Sequence, residues 1–425
     1  MSPSQRRVLS GAAAVLVLVI IAVVVVLVRG HGPHAAPAGG HASPGAAGST
    51  SSVATTTTTK ASGTSTTSTT AASTTTEVAV GPAGGPIPPG FLPQSITFVS
   101  PDQGFVLGTA SCASAPCTAV LRTTDAARSW ASIQAPKVPL GNPAKGGSSV
   151  DEMRFADAHD GWAFGATLWS THDGGASWSA VSLPGSLAGD QVLALAASGG
   201  RVDAVVAPPA QSASGTAQLI TTPASSDSWS AVPGVSVPGA YDASLVLQGG
   251  AGWLVVGRRG AAPQYFRTTG GSGLVCDQAP CGAGPTEPAL AAADSTHLFA
   301  VCAGGVAAGQ QPKAVLASSD AGASFAQVGA APASGDLDGV TAASPSVVVV
   351  AAASGTSVLS RSTDGGHSWS TALDDSSSGG APFHDLGFTT PSQGIVIEGA
   401  ADVNGLTSRL LLSRDSGASW QPVSF

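Results

Sequence analysis

The sequence predicts an all-β protein: a seven-bladed β-propeller of four-stranded blades over residues 91–425, preceded by one N-terminal transmembrane helix and a disordered linker. Three observations carry that expectation. A short box, S/T-x-D-x-G-x-x-W, returns at Thr171–Trp178, Ser362–Trp369 and Ser413–Trp420, and as Ser318–Phe325 with phenylalanine for tryptophan. Its slots recur every 44 to 51 residues, the period of a radial repeat built from short strands. Ahead of the repeats lie an apolar run without charge and a long tract of Ala, Gly, Ser, Thr and Pro.

Residues 1–7 read as a cytoplasmic tail and Val8–Val28 as a membrane-spanning signal-anchor. As a helix that run is about 31 Å long, enough for a bilayer's hydrocarbon core. Arg6, Arg7 and the terminal amine precede it and Arg29 follows, so the positive-inside bias keeps the tail in the cytoplasm and sends the rest across. A cleaved signal peptide is the competing reading; its apolar region is shorter, about 7–15 residues, and no small-x-small site directly follows the run. Residues 29–90 hold little apolar surface to offset their ordering entropy and read as a disordered tether, with a coil span of roughly 40–45 Å.

Beyond the tether each repeat reads as strand, turn, strand, loop, strand, box turn, strand. In the second repeat these strands are Met153–Ala156, Trp162–Gly165, Leu168–Thr171 and Ser177–Val181. The box explains itself as a tight hairpin turn. Its carboxylates, Asp125, Asp173, Asp320, Asp364 and Asp415, bond backbone N–H groups further along. Its glycine supplies a positive φ that a Cβ resists, and its aromatics, Trp130, Trp178, Phe325, Trp369 and Trp420, bury large surfaces on the outgoing strand. The first copy, Thr123–Trp130, has Ala127 where the glycine belongs; the slots at Thr222–Trp229 and Thr268–Gly271 keep the rhythm but have lost the acid.

Charge narrows the partners. Residues 91–425 carry 24 acids against 13 Lys plus Arg, a net charge of −11 (13 minus 24), which repels polyphosphates and excludes nucleic acid as a partner. The sequence implies no cofactor: no G-x-S-x-G, H-E-x-x-H or phosphate-binding loop is present. His159, His172 and His367 fall in turns and read as solvent-facing. The five cysteines include two C-x4-C pairs, each with Ala-Pro before the second cysteine. In an oxidising compartment they read as the disulfides Cys112–Cys117 and Cys276–Cys281, leaving Cys302 as a buried thiol. Zinc is the rival, but it needs both pairs together and they lie in different blades.

One series of acids stands just before the first strand of six blades: Glu152, Asp190, Asp242, Glu287, Asp338 and Asp385; the first blade has Gln94 and Ser95 there. Two readings stand. The acids shape the turn into the strand, or they ring the mouth of the central channel and bind a divalent cation or a basic peptide.

The box resembles the Asp-box, or BNR repeat, of the sialidase-like propellers. A companion phrase, Met153–Gly165, echoed at Ile96–Gly108 and Leu386–Glu398, resembles the photosystem II assembly-factor branch of that superfamily. The first resemblance implies the fold; the second implies a protein client. A sialidase would need a tyrosine nucleophile paired with a glutamate, an Asp acid/base and three arginines converging on a carboxylate. This chain has two tyrosines, Tyr241 and Tyr265, and Arg122, Arg267 and Arg361 are copies of one strand position rather than a converging set. The expectation is therefore a non-catalytic, extracytoplasmic binding or scaffolding propeller held at the membrane. It would use its channel mouth and the inter-blade loops Ala135–Val150 and Asp374–Pro382. The alternative is a glycan-binding or sialidase-like exo-glycosidase propeller.

Overall fold

Gly161–Gly165, Val348–Ala353 and Gly394–Glu398 bury every one of their residues. A strand dry on both faces has a neighbouring layer on each side, and each of these is the second strand of its own sheet. The computed structural model describes residues 84–113, 116–141, 147–209, 215–269, 273–282, 284, 288–400 and 407–425. Among them, 28 strands form seven four-stranded sheets, each ordered as the chain runs. The first strands of the blades are Leu92–Phe98, Val150–Phe155, Gln191–Ser198, Ala240–Gln248, Ala289–Ala292, Asp336–Ala342 and Phe383–Phe388. Each touches the next, and the seventh touches the first, so they close a ring around the axis. The protein is an all-β, seven-bladed propeller.

The expected anchor over residues 8–28 lies outside the described residues, as does the linker up to residue 83. Among the described residues no helix is long and apolar enough to cross a membrane. The last stretch assigned to the linker is docked on the first blade: Gly85 exchanges two backbone hydrogen bonds with Ser132, at 2.8 and 3.0 Å.

The apolar core is divided into seven layers, one between each pair of neighbouring blades. Phe105 of the first blade stacks on Phe155 of the second with ring centroids 3.7 Å apart, and Ile96 and Leu121 share a layer with Ile397 and Leu412 of the seventh. Because successive strands alternate in direction, the starts of the first strands and the loops between second and third strands lie on one face. The box turns, between third and fourth strands, lie on the other.

The boxes are closed turns. In Ser362–Trp369 the Ser362 hydroxyl donates to Asp364 (2.8 Å) and accepts from the Gly366 N–H (2.8 Å), while Asp364 also accepts from the Ser368 N–H (2.9 Å) and hydroxyl (2.5 Å). The same four bonds recur around Asp125, Asp173, Asp320 and Asp415, so the serine before each aromatic belongs to the motif, a member the sequence pattern did not single out. These donors favour the ionised acid, holding Asp320 down to about 2.

Three of these turns are also gripped by hydrogen bonds from the preceding blade. Trp253 Nε1 donates to Ala321 O (2.9 Å), the Tyr265 hydroxyl to Gly322 O (3.1 Å), Arg361 Nε to Ser416 O (2.7 Å) and Arg414 to Ala126 O (2.5 Å). The box glycines are tight because of it: a Cβ on Gly322 would stand 2.2 Å from the Tyr265 hydroxyl, and one on Gly417 would stand 2.8 Å from Val349. Between blades two and three the grip differs. The third blade's box lacks its acid, and the nearby Asp227 accepts instead from Trp162 Nε1 (3.0 Å), the Ser170 hydroxyl (2.6 Å) and His172 Nε2 (3.2 Å). His172, exposed as expected, is also an inter-blade tie, with Asp160 facing its Nδ1 at 2.6 Å.

On the opposite face Lys313, 1% exposed, points its ammonium at the carbonyls of Gln311, Pro332, Ala333, Ser334 and Gly335 at 2.6–3.2 Å, fixing the connection between blades five and six. Burial pulls its amine down to about 8 against the opposing charge of Asp336.

The disulfides need one correction. Cys112–Cys117 forms as expected, but Cys281 pairs with Cys302, not with Cys276, which is a free and exposed thiol; Cys302 is accordingly not a free buried one. The spacing was the same, and the backbone was not. Cys112 and Cys117 flank a hairpin whose strands face each other at Ser111 and Pro116, whereas Cys276 lies in the extended outermost strand of the fourth blade, paired only with Phe266.

Two stability outcomes follow from these turns. Ala127 sits at φ 63° where the other boxes place glycine, so Ala127→Gly should raise the unfolding free energy by about 1 kcal/mol in urea titrations. His172 has carboxylates at both ring nitrogens, an arrangement that needs both protonated. Burial opposes the charge, but Asp160 and Asp227 win and raise its pKa above the ordinary 6.5. Its contribution is complete below that value and lost as pH rises through the folded pKa. His172→Gln should therefore depress the melting temperature most near pH 5.5, with the gap to the parent narrowing at alkaline pH.

Candidate functional site

Six of the first strands carry a bulge close to their start. The ladder skips Gln94, Asp151, Leu193, Tyr241, Asp338, and the pair Asp385–Leu386. A bulge adds one residue and re-aims the side chains around it. The acid series therefore occupies three registers. Asp338 and Asp385 lie in the bulge, Glu152 and Asp242 one position after it, and Asp190 just ahead of its strand. Glu287 lies outside the described residues. The true counterpart of Asp338 and Asp385 in the second blade is Asp151, which the spacing of the acids alone did not reveal.

The two bulge acids reach across to the next blade. Asp338 accepts from the Phe383 N–H at 2.9 Å, and Asp385 from the Ile96 N–H at 2.7 Å. Asp385 holds a φ of 53° to do so. Asp242 is buried and turned onto its own strand, accepting from the Ala243 N–H at 2.9 Å.

Three blades then converge on one guanidinium. Arg154, on the second blade's first strand, donates from Nη2 to Asp385 Oδ1 (2.7 Å) and Glu152 Oε2 (3.1 Å), and from Nη1 to the Ser95 hydroxyl (3.0 Å) and Met153 O (2.8 Å). Ser95 in turn donates to Asp385 at 2.7 Å and accepts from the Met153 N–H at 3.0 Å. His384 Nε2 lies 2.9 Å from Gln94 O. Arg154 was not among the residues singled out from sequence, although its place two residues after Glu152 on a strand puts both on one side of it.

Burial and charge set the protonation of the cluster. Burial pushes Asp385 up, but Arg154, His384 and the Ser95 and Ile96 donors outweigh it and hold the acid below its usual range. Glu152 has only one such partner: burial raises it, Arg154 opposes and Asp385 adds to the rise, leaving it at about 6. Asp151 is also raised well above its ordinary value, by burial and then by Glu152. The Glu152 side chain keeps 38% of its surface and Arg154 27%, against 7% for Asp385. Glu152 and Arg154 thus keep some contact with solvent, while the surrounding protein keeps bulk water from solvating them fully.

No glycosidase constellation gathers among the described residues. Tyr265 is fully buried with its hydroxyl on Gly322 O, and burial drives its pKa far up. Arg122, Arg267 and Arg361 stand in three separate blades, Arg267 paired with Asp277 at 2.5 Å and Arg361 bonded to Ser416 O. No group of three or more His, Cys, Asp or Glu side chains among the described residues is placed to hold a metal ion.

No family model matches the sequence, and no curated protein does. Solved structures do. YCF48 from Cyanidioschyzon merolae is 16% identical with a TM-score of 0.49, covering 78% of this chain and 98% of that one. A puromycin-hydrolyzing peptidase of Mycobacterium tuberculosis is 13% identical with a TM-score of 0.52, covering 80% of this chain but only 56% of its own length. An ulvan lyase of polysaccharide lyase family 25 is 12% identical with a TM-score of 0.49, covering 82% and 98%. The likeness is one of fold. At these identities it extends to the propeller and to nothing finer.

Arg154 is the tie whose loss is most readily measured. Arg154→Ala leaves Asp385 largely buried without its counter-charge, and should lower the unfolding free energy by about 2 kcal/mol, discounted for the partial exposure of the pair. Adding Asp385→Asn should recover part of that loss in a double-mutant cycle.

Proposed function

We propose that this chain is a non-catalytic binding propeller, displayed outside the cell by an anchor at residues 8–28, that takes a cationic segment of a protein client at its axial mouth. The observation that carries the reading is Glu152: a carboxylate partly exposed, imperfectly solvated, and held by a single guanidinium that it shares with Asp385. A desolvated carboxylate gains more from a second cation than an exposed one does, because water competes less for it. The domain's net charge of −11 (13 Lys plus Arg minus 24 acids over residues 91–425) adds long-range attraction for such a partner. The buried Tyr265 and the dispersed arginines weigh against the glycosidase alternative.

The probe is a fluorescent oligolysine peptide titrated against the full-length protein in detergent micelles at low ionic strength. Glu152 is charged above about 6, so affinity should rise as pH is taken from 5 to 7.5, and fall with added salt. Glu152→Gln should weaken binding by about tenfold at pH 7.5 and flatten the pH profile. Absence of binding at pH 7.5, or a profile unchanged by Glu152→Gln, overturns the reading; turnover of a fluorogenic sialoside would favour the glycan alternative.

A further inference from the structure

Arg122, Arg267 and Arg361 hold one third-strand position, three residues before the box slot; blade five has Ala317 there. Across the ladder Ala317 faces Phe299, just as Arg267 faces Trp253 and Arg361 faces Val349. From this pair of positions a blade grips the next turn. Trp253 Nε1 donates to Ala321 O at 2.9 Å and Arg361 Nε to Ser416 O at 2.7 Å, and each acceptor is the residue just after a box aspartate. In blade six that residue is Gly365, but neither Phe299 nor Ala317 has a side-chain donor to offer it. Blade five, residues 289–331, contains no tryptophan and no arginine at all. In their place stands a cavity of about 360 Å³, lined by Phe299, Ala317 and Val328 of blade five and by Asp364, Gly365 and His367 of blade six. Asp364 and His367 are exposed, so the cavity opens to solvent on the box-turn face. Among the described residues no lysine or arginine lines it. Donors from Ser368 and Ser362 keep the Asp364 carboxyl ionised at its rim.

We propose that this cavity takes the side chain of an arginine presented by a partner polypeptide, whose guanidinium completes the grip that blade five lacks. The aliphatic stem would lie along Phe299, Ala317 and Val328. The guanidinium would donate to Gly365 O as Arg361 Nε donates to Ser416 O one junction further on. Asp364 supplies the counter-charge, and the domain's net charge of −11 (13 Lys plus Arg minus 24 acids over residues 91–425) favours a cationic guest. A lysine fits less well: its compact ammonium is more strongly hydrated and lacks the planar fork that arginine presents. Free arginine would bring its own α-carboxylate to the rim beside Asp364, where like charges repel, so the site selects an arginine within a chain. The cavity lies on the face opposite the acid cluster, and it does not depend on what binds at the axial mouth.

Nα-acetyl-arginine amide serves as the test ligand, added to the full-length protein in detergent micelles during thermal melts followed by tryptophan fluorescence. At ten times its dissociation constant it should raise the melting temperature by about 2 °C. Nα-acetyl-lysine amide and free arginine should each give a smaller rise at the same concentration. Ala317→Arg supplies the side chain from within and should abolish the response. Ala317→Leu occupies the cavity without a donor and should abolish it too, which keeps the test decisive if the arginine variant does not fold. No rise in wild type overturns the proposal, as does an equal rise in Ala317→Leu or in a folded Ala317→Arg protein. A lysine amide or free arginine that matches the blocked arginine overturns it as well.

Discussion

The structure depends on blades gripping the turns of their neighbours. A four-stranded sheet of small residues has little core of its own: the second strands are dry on both sides only because a neighbour covers each. The apolar layers between blades supply the bulk of that cover, and the hydrogen bonds from Trp253, Tyr265, Arg361 and Arg414 to the following box set its register. The box is rigid because Asp and Ser side chains satisfy its backbone. A rigid turn gives the preceding blade something fixed to pack against. Where the acid has gone, in the third blade, Asp227 and His172 restore a tie by other chemistry.

Much of this was legible in the sequence because repeats print their rules several times over. The blade number followed from the spacing of seven slots, Asp125, Asp173, Ala224, Gly270, Asp320, Asp364 and Asp415, and the four strands per blade from alternation and turn residues. What escaped was set by contacts between distant positions. The partner of Cys281 lies 21 residues on rather than five back, and a spacing rule cannot tell a hairpin from an edge strand. The bulges were invisible for a similar reason: a one-residue insertion reverses which side a carboxylate faces. Glu152 and Asp385 therefore looked equivalent, yet one keeps part of its surface in solvent and the other ties two blades together. Lys313 gave no signal, since five carbonyls from two loops converge on it only in three dimensions.

The axial cluster shows how one ring of similar residues divides its labour. Asp338 and Asp385 accept from backbone N–H groups of the following blade, and Asp385 also pairs with Arg154. Glu152 is left with a single partner and a pKa near neutrality. A carboxylate so placed is a cost to the fold at neutral pH, because the folded state would rather keep its proton than release it. Groups of that kind concentrate where proteins bind or react.

The cluster also stands on the seam of the ring. Ser95 and Asp385 are 290 residues apart in the chain, and Ser408 and Pro93, bonded nearby, 315. Those bonds cannot exist in an arc of six or seven blades that has not yet come full circle, since one partner is at each free end. The mouth is therefore assembled by the same event that turns a curved stack into a wheel. Anything seated there would act as a rivet across the join, favouring the closed wheel by its own free energy of binding.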